Sequence, residues 1–385
     1  MLKDKKLLII SNWFPSHNWL PSYTFVKEYT DEISSYFESV TVIIPISLWE
    51  YVINFKNRNK YRHYSYSNIK VFFNKYYYIP LIFSRFAGVL SYRSIYNFLK
   101  KEGIWFDFVH SHFTWPSGYV GMRLKSDFWV KSIITVHENR DWFLQEYNSG
   151  INIYRETWKN SDIVIRVNQI DVPLLKKCNK DSTCIYNWYN ERIFNRNYDI
   201  TKIKKVFNIP FWKKILLNVA SYKIHHKNQI NLIKSIKELL KIRKDFLLYL
   251  IWDWKDRKII QNFIERTNLW NYVKIVWPKK HNEIAKWMNI ADLFLLPSYS
   301  EWTPTVLFEA FWCWLPFIWT EVWWVWEIVI KEDYGFLLKN PEDYMLLSWT
   351  INKWLEKDWD KNIILTYSKE FTWKNIVGIT KKYYN

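Results

Sequence analysis

The sequence predicts an α/β protein built from two doubly wound, Rossmann-like domains facing a cleft. Three observations predict it. The chain has 385 residues, too many for one ordinary core and suited to two at roughly 150 residues per domain. Short β-branched or aromatic runs recur, each followed by a longer segment of helical period, which is the alternation of parallel sheets covered by helices. The alternation is broken once, near residues 190–210, by "NWYNERIFNRNYDITKIKKVFNIPFWKK", a polar, turn-rich stretch with no sustained period.

Each element follows from its local pattern. Leu7–Ile10 is an apolar run behind Lys5 and Lys6, too short for the apolar centre of a secretory signal, so it reads as the first buried strand. Val40–Ile44, Lys70–Phe73, Phe106–His110, Ser132–Val136 and Asp162–Val167 are the further strands of the first series. Lys214–Val219, Phe246–Ile251, Tyr272–Val276 and Leu293–Leu296 form the second. Between these lie "NQINLIKSIKELLKIRK" and "DRKIIQNFIERTN", whose apolar residues recur three and four apart as one face of a helix. The expected domains are therefore 1–200 and 201–365, with a C-terminal helix over 366–385 packing back on the first. In open α/β sheets ligands bind beyond the carboxyl ends of the strands, so residues at strand ends are the candidates for function.

Composition narrows the class. No stretch of 18 residues is free of charge, which excludes a spanning helix. Cys178, Cys184 and Cys313 fit neither a disulfide framework nor a zinc spacing and point to a reducing compartment, so a cytoplasmic protein is expected. The net charge is +18, and from Tyr51 to Lys101 there are ten Lys or Arg and no Asp or Glu, interleaved with aromatics. That mixture suits either an anionic membrane surface, met at the inner face of the cell membrane, or a solvated basic face. No nucleic-acid motif accompanies the charge, and no nucleic-acid partner is expected.

The strand "ADLFLLP" runs into "SYSEWTPTVLFEAF". Glu301 falls in the loop and Glu309 in the second turn of a helix expected to begin near Pro304, a residue at home in a first helical turn. Free amides at such a helix start, with the positive end of its dipole, suit a diphosphate. Two flanking carboxylates can accept hydroxyl hydrogen bonds from sugars on either side of it. A pair eight residues apart is weak evidence alone, since most such pairs are solvated charges.

The surrounding residues resemble the nucleotide-sugar-binding stretch of the family-4 glycosyltransferases, retaining enzymes of the GT-B fold within the glycosyl transferases group 1. "PSYSEWTPTVLFEAFWCWLPFI" matches its hallmark of a Glu, seven residues and a second Glu. "LLNVASYKIHHKNQINLIKSI" looks like the strand and helix that carry a phosphate-binding Lys, and "LYLIWDWKDR" like a Gly-Asp-Gly turn. "FDFVHSHFTWPSGYVG" and "IITVHENRDW" look like the family's histidine-bearing strand ends. The resemblance implies a nucleotide diphosphate sugar as donor and a lipid-linked or glycan hydroxyl as acceptor, as in cell-surface polysaccharide or glycolipid synthesis. It gives Glu309 the ribose hydroxyls, Glu301 the transferred sugar, Lys227 a phosphate, and Thr303, Pro304, Thr305 and Val306 the diphosphate. His137 matches a first-domain His near the reacting carbon, while His110 and His112 read as structural and Glu327 as a helix-start charge. The family's Arg five residues before the Lys is Tyr222 here, so the second cation is missing or supplied by Lys223. No metal motif of the Asp-x-Asp kind is present, and neither a metal nor a cofactor is expected. The alternatives are a GT-B nucleotide-sugar epimerase and a catalytically inactive GT-B-like binding or scaffold protein.

One departure from that pattern is systematic. Ordinary usage of about 7% glycine gives roughly 27 in a chain of this length, yet there are 7, with 26 tryptophans. Tryptophan stands at expected turn positions, Trp188, Trp252, Trp254, Trp277, Trp302, Trp312, Trp314, Trp319, Trp323 and Trp324, and the family writes glycine where this chain has Trp302, Trp314, Trp323 and Trp324. Glycine serves such places because it adopts φ > 0 and lets backbone approach a phosphate, whereas an indole fills the space. Some bacterial lineages read UGA as glycine and others as tryptophan, and reading the gene under the wrong code produces this exchange. Packing of a tryptophan-rich core does not explain the glycine deficit.

Overall fold

The computed structural model describes residues 2–16, 24–54, 59–78, 86–187, 189–220, 224–251, 256–301, 305–322 and 325–385. The chain divides into two compact units, Met1–Asn187 with Trp373–Asn385, and Trp188–Thr372. The first boundary lies before the expected residue 200, because Phe194 is buried and Arg196 donates to the carbonyls of Asn289 and Cys313, which fastens this stretch to the second unit. Likewise the helix Lys361–Ser368 packs on the helix Thr305–Trp312, so the return begins at Trp373 and not at residue 366.

In the first unit the strands are β1 (Lys6–Ser11), β2 (Ser39–Ser47), β3 (Tyr64–Tyr66), β4 (Ile69–Tyr76), β5 (Phe108–His112), β6 (Lys131–Val136), β7 (Ile163–Arg166) and β8 (Ser182–Cys184). They form one sheet in the order β3-β4-β2-β1-β5-β6-β7-β8. Every pairing is parallel except β3 with β4. The apolar runs read from sequence are the strands themselves, since a parallel sheet covered on both faces buries consecutive side chains. Leu7 to Ile10 are all buried.

The second unit holds β9 (Lys214–Val219), β10 (Phe246–Ile251), β11 (Val273–Val276), β12 (Leu293–Leu296), β13 (Phe317–Thr320) and β14 (Gly335–Leu338), wholly parallel in the order β11-β10-β9-β12-β13-β14. Its strand order reverses between β9 and β12, the switch point where such sheets bind ligands. One face is covered by the helices Gln229–Leu239, Arg257–Arg266 and Tyr344–Leu355, whose Ile233, Ile236, Ile260, Ile264 and Ile351 pack with Leu248, Leu250 and Leu295.

Helix ends bear directly on the tryptophans. Among the described residues five helices close in the same way, with a residue one or two past the helix at φ +53 to +61 and the one after it donating its N–H five residues back. Gly103 (φ +61) is followed by Ile104 donating to Leu99, Asn208 (φ +53) by Ile209 to Lys204, and Asn268 (φ +55) by Leu269 to Ile264. At the other two ends the left-handed residue is Trp129 (φ +55), followed by Val130 donating to Lys125, and Trp314 (φ +55), followed by Leu315 to Ala310. Glycine and asparagine tolerate this conformation, while a residue with an ordinary Cβ pays about 1–2 kcal/mol. Trp129 is 94% exposed, so its indole recovers nothing by burial. Trp129→Gly is therefore expected to raise unfolding free energy by about 1 kcal/mol in urea denaturation. Trp314→Gly gains less, because the ring also lies 5.1 Å from the Arg196 guanidinium. A loss of stability in Trp129→Gly would contradict the glycine reading at that position.

Not every suspect tryptophan is at a turn. Trp319 lies within β13, fully buried, and Trp312 is the last residue of its helix, against Tyr189. These two correct the expectation, because strand and helix patterns override a local likeness to a glycine turn. Trp188, Trp252, Trp254, Trp302, Trp323 and Trp324 lie outside the described residues.

Candidate active site

In the second unit the loop after β12 docks on the short helix Ile224–Lys227, which follows β9. Asn218 of β9 donates to the Leu295 carbonyl (2.7 Å), and Asn228 donates to those of Pro297 (3.0 Å) and Pro341 (2.6 Å). The Tyr299 N–H donates to the His226 carbonyl (2.8 Å), and His226 Nδ1 meets the Ser300 hydroxyl at 3.0 Å. These contacts bring Lys227 and Glu301 together at the switch point, with Nζ 2.6 Å from Oε2. Glu301 is 7% exposed, and its other oxygen, Oε1, is buried without a hydrogen-bond partner among the described residues. An unsatisfied carboxylate oxygen costs about 1–3 kcal/mol, a cost that a ligand hydroxyl placed there removes.

Thr305 and Val306 begin the helix Thr305–Trp312, both half-buried, and Glu309 follows one turn on, also half-buried. The structure thus brings Lys227 and Glu301 together in the loop region after β12, with Thr305, Val306 and Glu309 on the helix that follows. Lys223, Thr303 and Pro304 lie outside the described residues. Sequence spacing gave no sign that Lys227 and Glu301 are bonded to each other; that follows from the docking of the 297–301 loop. Glu327 sits in the first turn of the short helix Val325–Ile328, in accord with its reading as a helix-start charge. Among the described residues no three His, Cys, Asp or Glu side chains gather as a metal site requires.

In the first unit three imidazoles stack at the ends of β5 and β6. His110 and His112 have ring centroids 4.7 Å apart, and His112 and His137 5.2 Å apart. His110 Nδ1 meets the Tyr384 hydroxyl at 2.6 Å and Nε2 the Thr135 hydroxyl at 2.8 Å, which gives His110 the structural role expected of it. His112 Nδ1 and His137 Nε2 are 2.9 Å apart, while His112 Nε2 is buried without a partner among the described residues. A buried N–H without an acceptor is rarer than an empty acceptor, so the proton of His112 belongs on Nδ1, donated to His137. Burial depresses all three pKa values, His112 to about 3 and the others well below the ordinary range. His137 is therefore neutral.

Beneath His137 lies a network that sequence reading missed. The Arg166 guanidinium donates to Asp171 (2.8 Å) and to the carbonyls of Val136 (2.9 Å) and Glu138 (2.7 Å), with Arg166 and Asp171 wholly buried. It fixes the backbone on both sides of His137. The Glu138 carboxylate accepts the Thr114 N–H at 2.5 Å. Nearby Glu146 is pushed up to about 9, first by burial and then by the charge of Glu138. Glu146 is thus neutral in the folded protein at pH 7 and ionised in the unfolded chain. Its contribution is intact below about pH 4.5 and is lost as pH rises toward 9. The histidines act on the acid side, where stability falls as pH drops below about 6.5. Glu146→Gln is expected to relieve the alkaline loss alone, its advantage over the parent widening by about 1 kcal/mol per pH unit from pH 5 to 9. Urea denaturation across that range checks it; a constant difference would contradict it.

Two parallel-sheet Rossmann-like domains of this connectivity, with a lysine–carboxylate pair at the switch point of the second, have the architecture of the GT-B glycosyltransferases. Residues 199–371 match the model of the glycosyl transferases group 1. It is 29% identical over 297 residues to an uncharacterised glycosyltransferase of Methanocaldococcus jannaschii, covering 74% of this chain and 77% of the relative. Among solved structures it is similar to sucrose-phosphate synthase of Thermosynechococcus elongatus, with TM-score 0.73, 19% identity and coverage of 99% and 98% of the two chains. It is likewise similar to HepE of Anabaena, solved in complex with UDP, with TM-score 0.72, 14% identity and 98% of each chain covered.

Proposed function

We propose that the protein transfers a sugar from a nucleotide diphosphate sugar to a hydroxyl acceptor with retention of anomeric configuration, without a metal, in the synthesis of a cell-surface glycan or glycolipid. The observation that carries this is the Lys227–Glu301 pair, in which one carboxylate oxygen is held and the other is buried without a partner among the described residues. In this reading Oε1 accepts a hydroxyl of the transferred sugar. Lys227 and the amides of Thr305 and Val306 take the charge that develops on the leaving diphosphate, which fixed donors stabilise best. Glu309, one turn along, accepts the ribose hydroxyls. His137, being neutral, contributes a hydrogen bond and not a charge. Retention needs no protein nucleophile if the acceptor attacks from the leaving-group face. The UDP complex of the Anabaena neighbour supports a nucleotide donor.

The basic stretch 51–101 is read as the face that meets an anionic membrane, in keeping with a lipid-linked acceptor and a peripheral location at the inner surface. No described helix is long and apolar enough to cross a membrane. The second reading, an inactive binding protein, is favoured by the tryptophans as written, since Trp302, Trp323 and Trp324 stand in the donor-binding stretch. Screening nucleotide sugars with simple hydroxyl acceptors, on the chain with glycine at positions 188, 252, 254, 302, 314, 323 and 324, and reading the product anomer by NMR, tests the transferase. Inverted products would overturn the retaining mechanism, and an absence of any product would favour the inactive protein.

A further inference from the structure

The first unit carries an open groove of about 800 Å³ between the helices Leu48–Ile53 and Ala87–Lys101. Trp49, Val52, Tyr77, Phe86, Leu90 and Arg93 line it. Val52 is 61% exposed, Tyr77 81% and Phe86 55%. Apolar side chains gathered in one concave surface mark a binding site more often than isolated exposed ones do. The groove's charge is one-sided. Arg93 meets no carboxylate among the described residues, and no acid occurs from Tyr51 to Lys101. Of the two acids that flank this run, Glu50 accepts the Tyr61 hydroxyl at 2.8 Å and Glu102 caps the far end of the helix Ala87–Lys101, while Lys75 lies 3.7 Å from the Tyr51 ring centre.

An apolar trough with, on its wall, a guanidinium that meets no carboxylate among the described residues is complementary to a molecule with one aliphatic chain and an anionic head. We propose that this groove seats the aliphatic chain of a lipid-phosphate acceptor, with the phosphate against Arg93. The inference rests on the transferase reading for the word acceptor, but the groove's chemistry stands apart from the donor site.

The test is calorimetric titration of the full chain with n-hexyl, n-octyl, n-decyl and n-dodecyl phosphate, each below its micelle concentration. Inorganic phosphate serves as the chainless control and n-decyl maltoside as the uncharged one. Affinity is expected to rise about fourfold per methylene, equivalent to about 0.8 kcal/mol, until the groove is filled. Arg93→Gln should weaken decyl phosphate about tenfold and leave decyl maltoside unchanged. Val52→Glu, a change at an exposed helical position, should weaken both. Affinity independent of chain length, inorganic phosphate binding as tightly as decyl phosphate, or no effect of Val52→Glu overturns the proposal. So does binding to anionic vesicles without binding to monomeric alkyl phosphates, which would mean surface adsorption only. A dimer in light scattering that Val52→Glu dissociates assigns the groove to a second copy and also overturns it. Uridine diphosphate titrated in parallel into the chain with glycine at positions 188, 252, 254, 302, 314, 323 and 324 separates the two readings: absence of its binding with alkyl binding intact sinks the donor site alone, and the reverse sinks the groove alone.

Discussion

With glycine at positions 188, 252, 254, 302, 314, 323 and 324, the chain is expected to hydrolyse a nucleotide sugar at a measurable rate, whereas the chain with tryptophan at these positions does not. The expectation rests on two independent facts. The glycine shortfall of about 20 residues is matched by a surplus of tryptophan, several of them where the pattern that the sequence resembles has glycine. And of the five helix ends closed through a left-handed residue, three use Gly103, Asn208 and Asn268, which tolerate it, while two use Trp129 and Trp314. A Cβ and indole beside the diphosphate loop deny backbone amides their approach to phosphate, so the effect on turnover should be all or nothing rather than graded. Release of nucleoside diphosphate from a panel of nucleotide sugars measures it. Equal activity of both chains would show that the tryptophans are native, as would UGG codons at these positions.

In the glycine-restored chain, Glu301→Gln should lower turnover by about 10²–10³ while leaving nucleoside diphosphate affinity within a few fold. The split follows from the geometry. Oε1, buried without a partner among the described residues, is the atom read as meeting the sugar, and the amide that replaces it is a weaker acceptor for a hydroxyl that gains positive character in the transition state. Lys227 meanwhile loses its carboxylate partner at 2.6 Å and is freed for the phosphates, so ground-state binding of the nucleotide does not suffer. Parallel loss of turnover and affinity would mean that Glu301 only holds Lys227 in place. Steady-state kinetics with separate binding measurements distinguish these outcomes.

Much of the fold was legible because parallel strands buried on both faces announce themselves as apolar runs. All ten strands expected from such runs are present, their ends displaced by no more than three residues, from β1 at Lys6–Ser11 to β12 at Leu293–Leu296. The strands that no such run announces lie toward the sheet margins. β3 and β8 are three residues each, and β14 begins with Gly335, whose Cβ would meet the Phe317 ring at 2.5 Å, a close approach that no periodicity reveals. At the site, Glu301, Glu309 and Lys227 could be named from spacing and resemblance. Their pairing could not, since it depends on loop docking through Asn228, His226 and Tyr299. The Arg166–Asp171 network was invisible for a related reason: neither residue belongs to a motif, and only the strand order places them beneath His137. Trp129 was likewise overlooked, since an exposed helix end carries no motif and only its backbone angle marks it.

The central claim is that the second domain holds a nucleoside diphosphate at Lys227. Isothermal titration of uridine and guanosine diphosphates into the glycine-restored chain, and into the same chain carrying Lys227→Ala, tests it most directly. One of the two nucleotides should bind with micromolar affinity, about 8 kcal/mol, and Lys227→Ala should weaken it at least about tenfold. Binding of neither nucleotide, or equal binding by the Lys227→Ala chain, would contradict it.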